Sequence, residues 1–105
     1  MPWLYLILAG LFEIGWVIGL KYSDGLTRLW PSIATLFAML ASVWLLGLAM
    51  KSLPMGTAYS VWVGIGAVGT VILGILLFDE PVTALRLCSI TLVVIGIAGL
   101  KLATP

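Results

Sequence analysis

The chain has 105 residues, of which 63% are hydrophobic and 9% are charged, and its formal net charge is +1. So small a polar fraction excludes a water-soluble globular domain and indicates an all-α integral membrane protein. The near-neutral charge gives no sign of a nucleic-acid partner. One cysteine and no histidine argue against an intrachain disulfide, a zinc site or a haem site, so we expect no metal and no cofactor.

The first hydrophobic run extends from Trp3 to Leu20 and is interrupted by one acidic residue, Glu13. At about 1.5 Å per residue the run reaches roughly 27 Å, close to the thickness of the hydrocarbon core of a bilayer. Glu13 then lies near the membrane midplane, where an ionisable group is costly and normally serves a function inside the protein. Because no basic region precedes the run and no convincing cleavage site follows it, we expect a retained helix rather than a signal peptide.

Three more hydrophobic runs follow the first, and charged or proline-containing segments separate them. The four runs predict transmembrane helices over residues 3–20, 31–50, 55–78 and 82–100, within a single domain over residues 1–105. The chain has no phosphate-binding loop motif, so any uphill transport would need an ion gradient rather than ATP.

The basic residues of the connections specify the orientation in the membrane only weakly. With four spans, Lys51 and Lys101 lie on one side and Lys21, Arg28 and Arg86 lie on the other. The side with more lysine and arginine residues normally faces the cytoplasm, and here the two sides differ by one basic residue. Insertion in both orientations would supply the two halves of an antiparallel dimer. A single orientation, set by insertion effects that the count does not capture, is the alternative.

Glu13 has small and aromatic neighbours on its predicted helix face. Positions three residues away include Gly10 and Trp16, and the small residue leaves room beside the carboxylate for something small. In the third span, Tyr59 and Trp62 carry polar hydrogens at a depth that the aromatic belt does not explain. These side chains need a buried acceptor, and the Glu13 carboxylate is the obvious candidate.

The other candidate positions have a simpler explanation beside the functional one. Ser42 lies in the middle of the second span, where a serine most often bonds back to a carbonyl one turn earlier. Small residues of the third and fourth spans let helices approach closely and bend, and ordinary helix packing explains them equally well. These hinge or packing positions are Gly64, Gly66, Gly69, Gly96 and Gly99.

With these residues in view, the chain resembles the small multidrug resistance family of four-helix bacterial exporters over essentially its full length. The similarity rests on Glu13 and on the segments KYSDGLTRLWPS (residues 21–32) and PMGTAYSVWVGIG (residues 54–66). Within that family, Ser42 and the runs GLFEIGW (residues 10–16) and GTAY (residues 56–59) are similar to the guanidinium exporter subtype, also called SugE-like. They are less similar to the quaternary-ammonium multidrug subtype.

The resemblance implies an antiparallel, dual-topology homodimer in the bacterial inner membrane, surrounded by lipid. It implies a proton-coupled antiporter that exports guanidinium and small substituted guanidinium-type cations by alternating access. In that mechanism, Glu13 of each subunit binds both the substrate and the proton. The residues implied to hold the carboxylates in place are Trp16, Ser42, Tyr59 and Trp62, with Gly10 beside them.

Three other functions remain open from the sequence alone. The first is a polyspecific proton-coupled exporter of quaternary ammonium and other hydrophobic cations. The second is a structural membrane subunit, which would explain the hydrophobicity but would not need a carboxylate at the midplane. The third is an intramembrane enzyme, and the lack of histidine and of a cysteine near Glu13 argues against it.

Overall fold

The computed structural model describes residues 2–104, and in that range it contains four helices and no strand. Each helix is long and apolar enough to cross a membrane. The prediction of an all-α protein with four spans is therefore confirmed. The helices are α1 (Pro2–Tyr22), α2 (Leu29–Ala49), α3 (Met55–Phe78) and α4 (Ala84–Ala103).

The connection between α3 and α4 shows why these two helices end and begin where they do. Asp79 adopts a left-handed backbone conformation, with a φ of 53°, and so ends α3 at Phe78. Thr83 is extended, and its side chain accepts a hydrogen bond from the backbone N–H of Arg86 at 3.1 Å. This cap starts α4 at Ala84, two residues later than the hydrophobic pattern predicts.

The helices do not contribute equally to the bundle. α1 packs against both α2 and α3, whereas the backbone of α4 lies close to that of α3 alone. A cation–π contact of α4 with α1 places Nζ of Lys101 5.4 Å from the centroid of the Trp3 ring. Gly64 allows the close approach of α4, because a Cβ at this position would lie 2.7 Å from Cδ1 of Ile97. None of the residues from Ala84 to Ala103 is buried. The fourth helix therefore lies on the outside of the other three.

The buried apolar core lies at one end of the bundle, where α1 begins, α2 ends and α3 begins. Close packing of these side chains holds the three helices together at that end. Beyond Glu13 toward the end of α1, glycines replace large side chains in the contact between α1 and α3. The buried apolar residues are Leu6, Ala9, Leu45, Leu46, Ala49, Leu53, Ala58 and Val61.

Candidate functional site

Glu13 lies in the middle of α1 with only 9% of its surface exposed, and its side chain is directed against α3. The carboxylate fills the space that a side chain at Gly66 would occupy. A Cβ at Gly66 would overlap Oε1 of Glu13 and would lie 2.8 Å from its Cγ. The absence of a side chain at Gly66 is therefore what admits the carboxylate between the two helices.

Within the part of the chain that the structure describes, no basic side chain pairs with the Glu13 carboxylate. Its Oε1 is buried and has no hydrogen-bond partner among residues 2–104, and the salt bridge in this range joins Arg86 to Glu80 instead. The side chain lines an open groove of about 250 Å³ between α1 and α3. A buried acceptor facing such a groove can bind a proton or a small cation. The groove is lined by Glu13, Val17, Val63, Gly66, Ala67 and Thr70.

Ser42 joins the three inner helices through hydrogen bonds. Its hydroxyl donates to the carbonyl oxygen of Ala9 at 2.6 Å and accepts from Nε1 of Trp62 at 2.8 Å. The simpler expectation for Ser42, a bond to its own helix one turn earlier, is wrong because Ala9 brings the α1 backbone within reach. Trp62 finds its buried acceptor in Ser42 rather than in the Glu13 carboxylate.

Tyr59 differs from the expectation that its hydroxyl is buried, since 54% of its surface is exposed. Ala58 and Val61 take the inward-facing positions of this turn of α3, so Tyr59 faces outward. Its ring still contacts Trp62, with 5.9 Å between the ring centroids. Tyr59 is thus joined to the Ser42 and Trp62 pair by ring packing, and its role at the carboxylate remains a prediction.

Trp16 lies one turn after Glu13 on α1. Its indole Nε1 is buried and has no hydrogen-bond partner within residues 2–104. An unpaired donor and an unpaired acceptor therefore occupy successive turns of one helix. Each is unfavourable while unpaired, so both are available to a ligand or to another protein chain.

The predicted room beside Glu13 is present, but not at Gly10. A Cβ at Gly10 would lie 2.7 Å from Cβ of Ile65, so this glycine serves the close approach of α1 and α3. The space instead lies on the α3 side, toward Gly66 and Thr70. Thr70 was not selected from the sequence as a site residue, although its spacing of four residues from Gly66 places both on one face of α3.

The other predicted hinge or packing glycines fall into two groups. Gly64 contacts α4 as described above, and a Cβ at Gly69 would lie 2.6 Å from Cγ1 of Ile14 on α1. In contrast, no atom lies within 4 Å of the Cβ position of Gly96 or of Gly99. The two α4 glycines therefore make no close helix contact among the described residues, and they lie open on the outer helix.

The comparison with known protein families identifies the family of this chain. A family model described as Small Multidrug Resistance protein matches residues 1–93. The chain belongs to the small multidrug resistance family. Membership of this family, together with the four spans, makes the chain a multi-pass protein of the bacterial inner membrane.

Relatives in this family are similar to the chain over nearly its whole length. A protein named guanidinium exporter from Yersinia pseudotuberculosis is 62% identical over 104 residues, which cover 99% of this chain and 100% of the relative. The guanidinium exporters of Escherichia coli K12 and Citrobacter freundii are 56% and 57% identical, each over 99% of both chains. The family resemblance inferred from Glu13 and from the segments 21–32 and 54–66 is thereby confirmed.

Proposed function

We propose that this chain exports guanidinium and small substituted guanidinium-type cations in exchange for protons, by alternating access. The observation that carries the proposal is the Glu13 carboxylate, which is buried in the middle of a membrane span and lines an open groove. Its Oε1 has no hydrogen-bond partner among residues 2–104. The relatives named guanidinium exporters support the choice of substrate.

The chemistry of guanidinium fits a buried carboxylate. The ion is planar, stays positively charged at physiological pH, and donates paired N–H bonds to two carboxylate oxygens, as an arginine side chain does. A proton binds the same oxygens, so proton and cation exclude each other. If two protons enter for each cation that leaves, one net charge moves inward per cycle, which contributes about 2.3 kcal/mol per 100 mV of membrane potential.

The same geometry does not favour an enzyme or a purely structural subunit. No group of three histidine, cysteine or acidic residues occurs together among residues 2–104, and Cys88 is exposed on the outer helix. A structural subunit has no use for a buried, unpaired carboxylate, because leaving such a group without a partner destabilises the fold. A transport site gives this residue a function.

The transport test uses purified protein in liposomes under a proton gradient. Wild type should carry guanidinium and methylguanidinium, and Glu13→Gln should fold but carry neither, because it keeps the shape and loses the titratable group. Asp24→Asn is the matched control, since Asp24 is an exposed loop carboxylate whose left-handed backbone suits asparagine. Coupled guanidinium uptake by Glu13→Gln would refute the assignment of Glu13 as the binding site.

The same preparation tests the substrate class. Equal transport currents for tetrapropylammonium and guanidinium in wild type would favour the polyspecific exporter instead.

We also propose that the working unit is an antiparallel dimer of this chain. The outer helix α4 buries none of its residues, and large apolar side chains such as Leu85, Leu92 and Ile95 are exposed along it. The groove at Glu13 is open, and the nearby Trp16 donor is unpaired, as expected for half of a site. A second copy in the opposite orientation would complete the site with a second Glu13.

Cysteine labelling tests this topology without changing the charge balance of the connections. In a Cys88→Ser background, Thr27→Cys and Ser52→Cys each place one thiol in an exposed connection, on opposite sides of the membrane. Both variants should be labelled from both sides by a membrane-impermeant maleimide. Labelling of each variant from a single side, with opposite sides for the two, would show one orientation and exclude the antiparallel dimer.

A further inference from the structure

A second cavity adjoins the groove at Glu13 and continues along the contact between α1 and α3. Its volume is about 150 Å³, and it shares Val17 and Thr70 with the groove. Its other lining residues lie toward the end of α1 and α3. The second cavity is lined by Val17, Ile18, Lys21, Thr70, Gly74, Phe78 and Glu80.

The two spaces follow one face of α3, on which residues recur at intervals of four. Gly66 faces the Glu13 carboxylate, and Gly74 faces the Glu80 carboxylate, since a Cβ at Gly74 would lie 2.8 Å from Cδ of Glu80. Thr70 lies one helical turn from each glycine. It is the polar side chain between a buried carboxylate and a carboxylate at the membrane surface.

The Thr70 hydroxyl is buried and has no hydrogen-bond partner among residues 2–104. Helical threonines usually donate to a carbonyl one turn earlier, as Thr35 does to Pro31 at 2.7 Å and Thr91 does to Leu87 at 2.8 Å. Thr70 does not use this option. Its hydroxyl is therefore free to bond with a group that occupies the space between α1 and α3.

We propose that the two adjoining cavities form the route of the transported cation between Glu13 and the membrane surface that carries Glu80, and that the Thr70 hydroxyl binds the cation on the way. The inference rests on the proposed guanidinium export. An N–H of guanidinium can donate to the Thr70 oxygen one helical turn beyond the position at which it leaves Gly66 and Glu13. A quaternary ammonium ion has no N–H and gains nothing from this hydroxyl.

The charges at the outer end favour release of the cation rather than retention. Glu80 already pairs with Arg86 at 3.3 Å, and Nζ of Lys21 lies 4.8 Å from the centroid of the Phe78 ring. The Glu80 carboxylate is thus already paired, and the other charged residue that lines this cavity, Lys21, is basic. A cation that has passed Thr70 meets no strong competing site there, so Glu13 remains the place of tight binding.

The experiment compares Thr70→Val, which removes the hydroxyl with little change of shape, with Thr70→Ser, which keeps it. We expect the rate of guanidinium transport to fall about tenfold in Thr70→Val and to stay within about twofold of wild type in Thr70→Ser, since one bond to a charged donor is lost in the first case. Thr91→Val is the matched control, because that hydroxyl bonds its own helix and lines neither cavity.

Equilibrium binding of guanidinium, measured by calorimetry in detergent, separates a role on the route from a structural one. Binding at Glu13 should remain within about twofold of wild type in Thr70→Val, whereas a packing defect would weaken binding and transport together. Thr70→Ala provides the same test if the valine variant does not fold. Equal transport rates in wild type, Thr70→Val and Thr70→Ala would overturn the role of Thr70. Absence of guanidinium transport in wild type would instead overturn the proposed function, and this inference with it.

Discussion

The two ends of the bundle differ in how completely their buried groups are satisfied. Where α1 begins and α2 ends, apolar side chains fill the contacts, and Ser42, Trp62 and the Ala9 carbonyl satisfy one another. From Glu13 to the end of α1, glycines line α3 and two cavities follow the helix contact. The three buried side-chain atoms without partners in residues 2–104 belong to Glu13, Trp16 and Thr70, all at this second end.

The comparison indicates that one end of this small protein stabilises the fold and the other end is available to a ligand. The end where α1 begins and α2 ends, called the filled end, has the packing and the hydrogen bonds that hold three helices in register. The end from Glu13 to the end of α1, called the open end, has polar atoms without partners among the described residues and cavities beside them. These unpaired atoms lower the stability of the fold, but they can bind a ligand. Changes at the open end should therefore alter transport with little effect on folding, and changes at the filled end should do the reverse.

Among substitutions that keep the Glu13 carboxylate, the largest effect on transport is expected from Gly66→Ala at the open end. The added methyl group overlaps the Glu13 carboxylate, which is the flexible end of its side chain, so the protein should fold while the carboxylate is displaced. Misplacement of a reacting group by about 1 Å can cost about a hundredfold in rate, and we expect at least that loss of guanidinium transport.

Gly47→Ala is the matched control for this substitution. Gly47 lies in α2 with no atom within 4 Å of its Cβ position, so alanine should leave transport unchanged and favour the helix by about 0.5–1 kcal/mol. Transport by Gly66→Ala at the wild-type rate would show that the position of the carboxylate against α3 is irrelevant to function.

The second largest effect is expected from Leu6→Ala at the filled end, which should lower the stability of the protein. Leu6 is fully buried, and deletion of a buried leucine side chain typically destabilises a protein by about 2–5 kcal/mol. The midpoint of thermal aggregation in detergent should fall, while the protein that remains folded transports at the wild-type rate. Leu11→Ala is the control, because Leu11 is more than half exposed on the same helix. An undiminished midpoint for Leu6→Ala would remove the distinction between the two ends.

The smallest effect is expected from Ser42→Ala, on the side of the filled end that is nearest to Glu13. The change leaves the Trp62 indole and the Ala9 carbonyl without their partner, at a cost of about 1–3 kcal/mol in stability. Because Ala9 lies one turn before Glu13, transport should also weaken, by less than in Gly66→Ala. Ser89→Ala removes a hydroxyl that only bonds back to Leu85 and serves as the control. Equal stability of the two variants would show that the Ser42 bonds contribute nothing.

The number of spans and their approximate bounds followed from the sequence, because four apolar runs of this length have no alternative in a membrane. The structure extends α1 to Tyr22 and α4 to Ala103 and starts α4 two residues late, since caps and frayed turns are set by local hydrogen bonds. The buried position of Glu13 was likewise predictable from a single charge within an apolar run.

Partners across helices could not be predicted in the same way. The sequence places Ser42 in the middle of its span and Tyr59 and Trp62 deeper than the aromatic belt. It does not say which backbone carbonyl comes within reach or which side of α3 faces outward. The hydrogen bond of Ser42 to Ala9 and the packing of Ile65 at Gly10 depend on the position and rotation of α1 relative to α2 and α3. Thr70 was missed for the same reason, since its lack of a partner is visible only in three dimensions.

The outer position of α4 also bears on how the protein is made. Every buried residue among those described precedes Asp79, so the contacts among α1, α2 and α3 can form before α4 is synthesised, and its packing at Gly64 is added last. During translation, α1, α2 and α3 can associate in the bilayer while the ribosome is still adding the last helix. The first three helices would then be committed to one orientation before α4 leaves the insertion machinery, and α4 adds to a finished surface. Misassembly of α4 at that late step would leave in place the residues that line the groove at Glu13, all of which belong to α1 and α3.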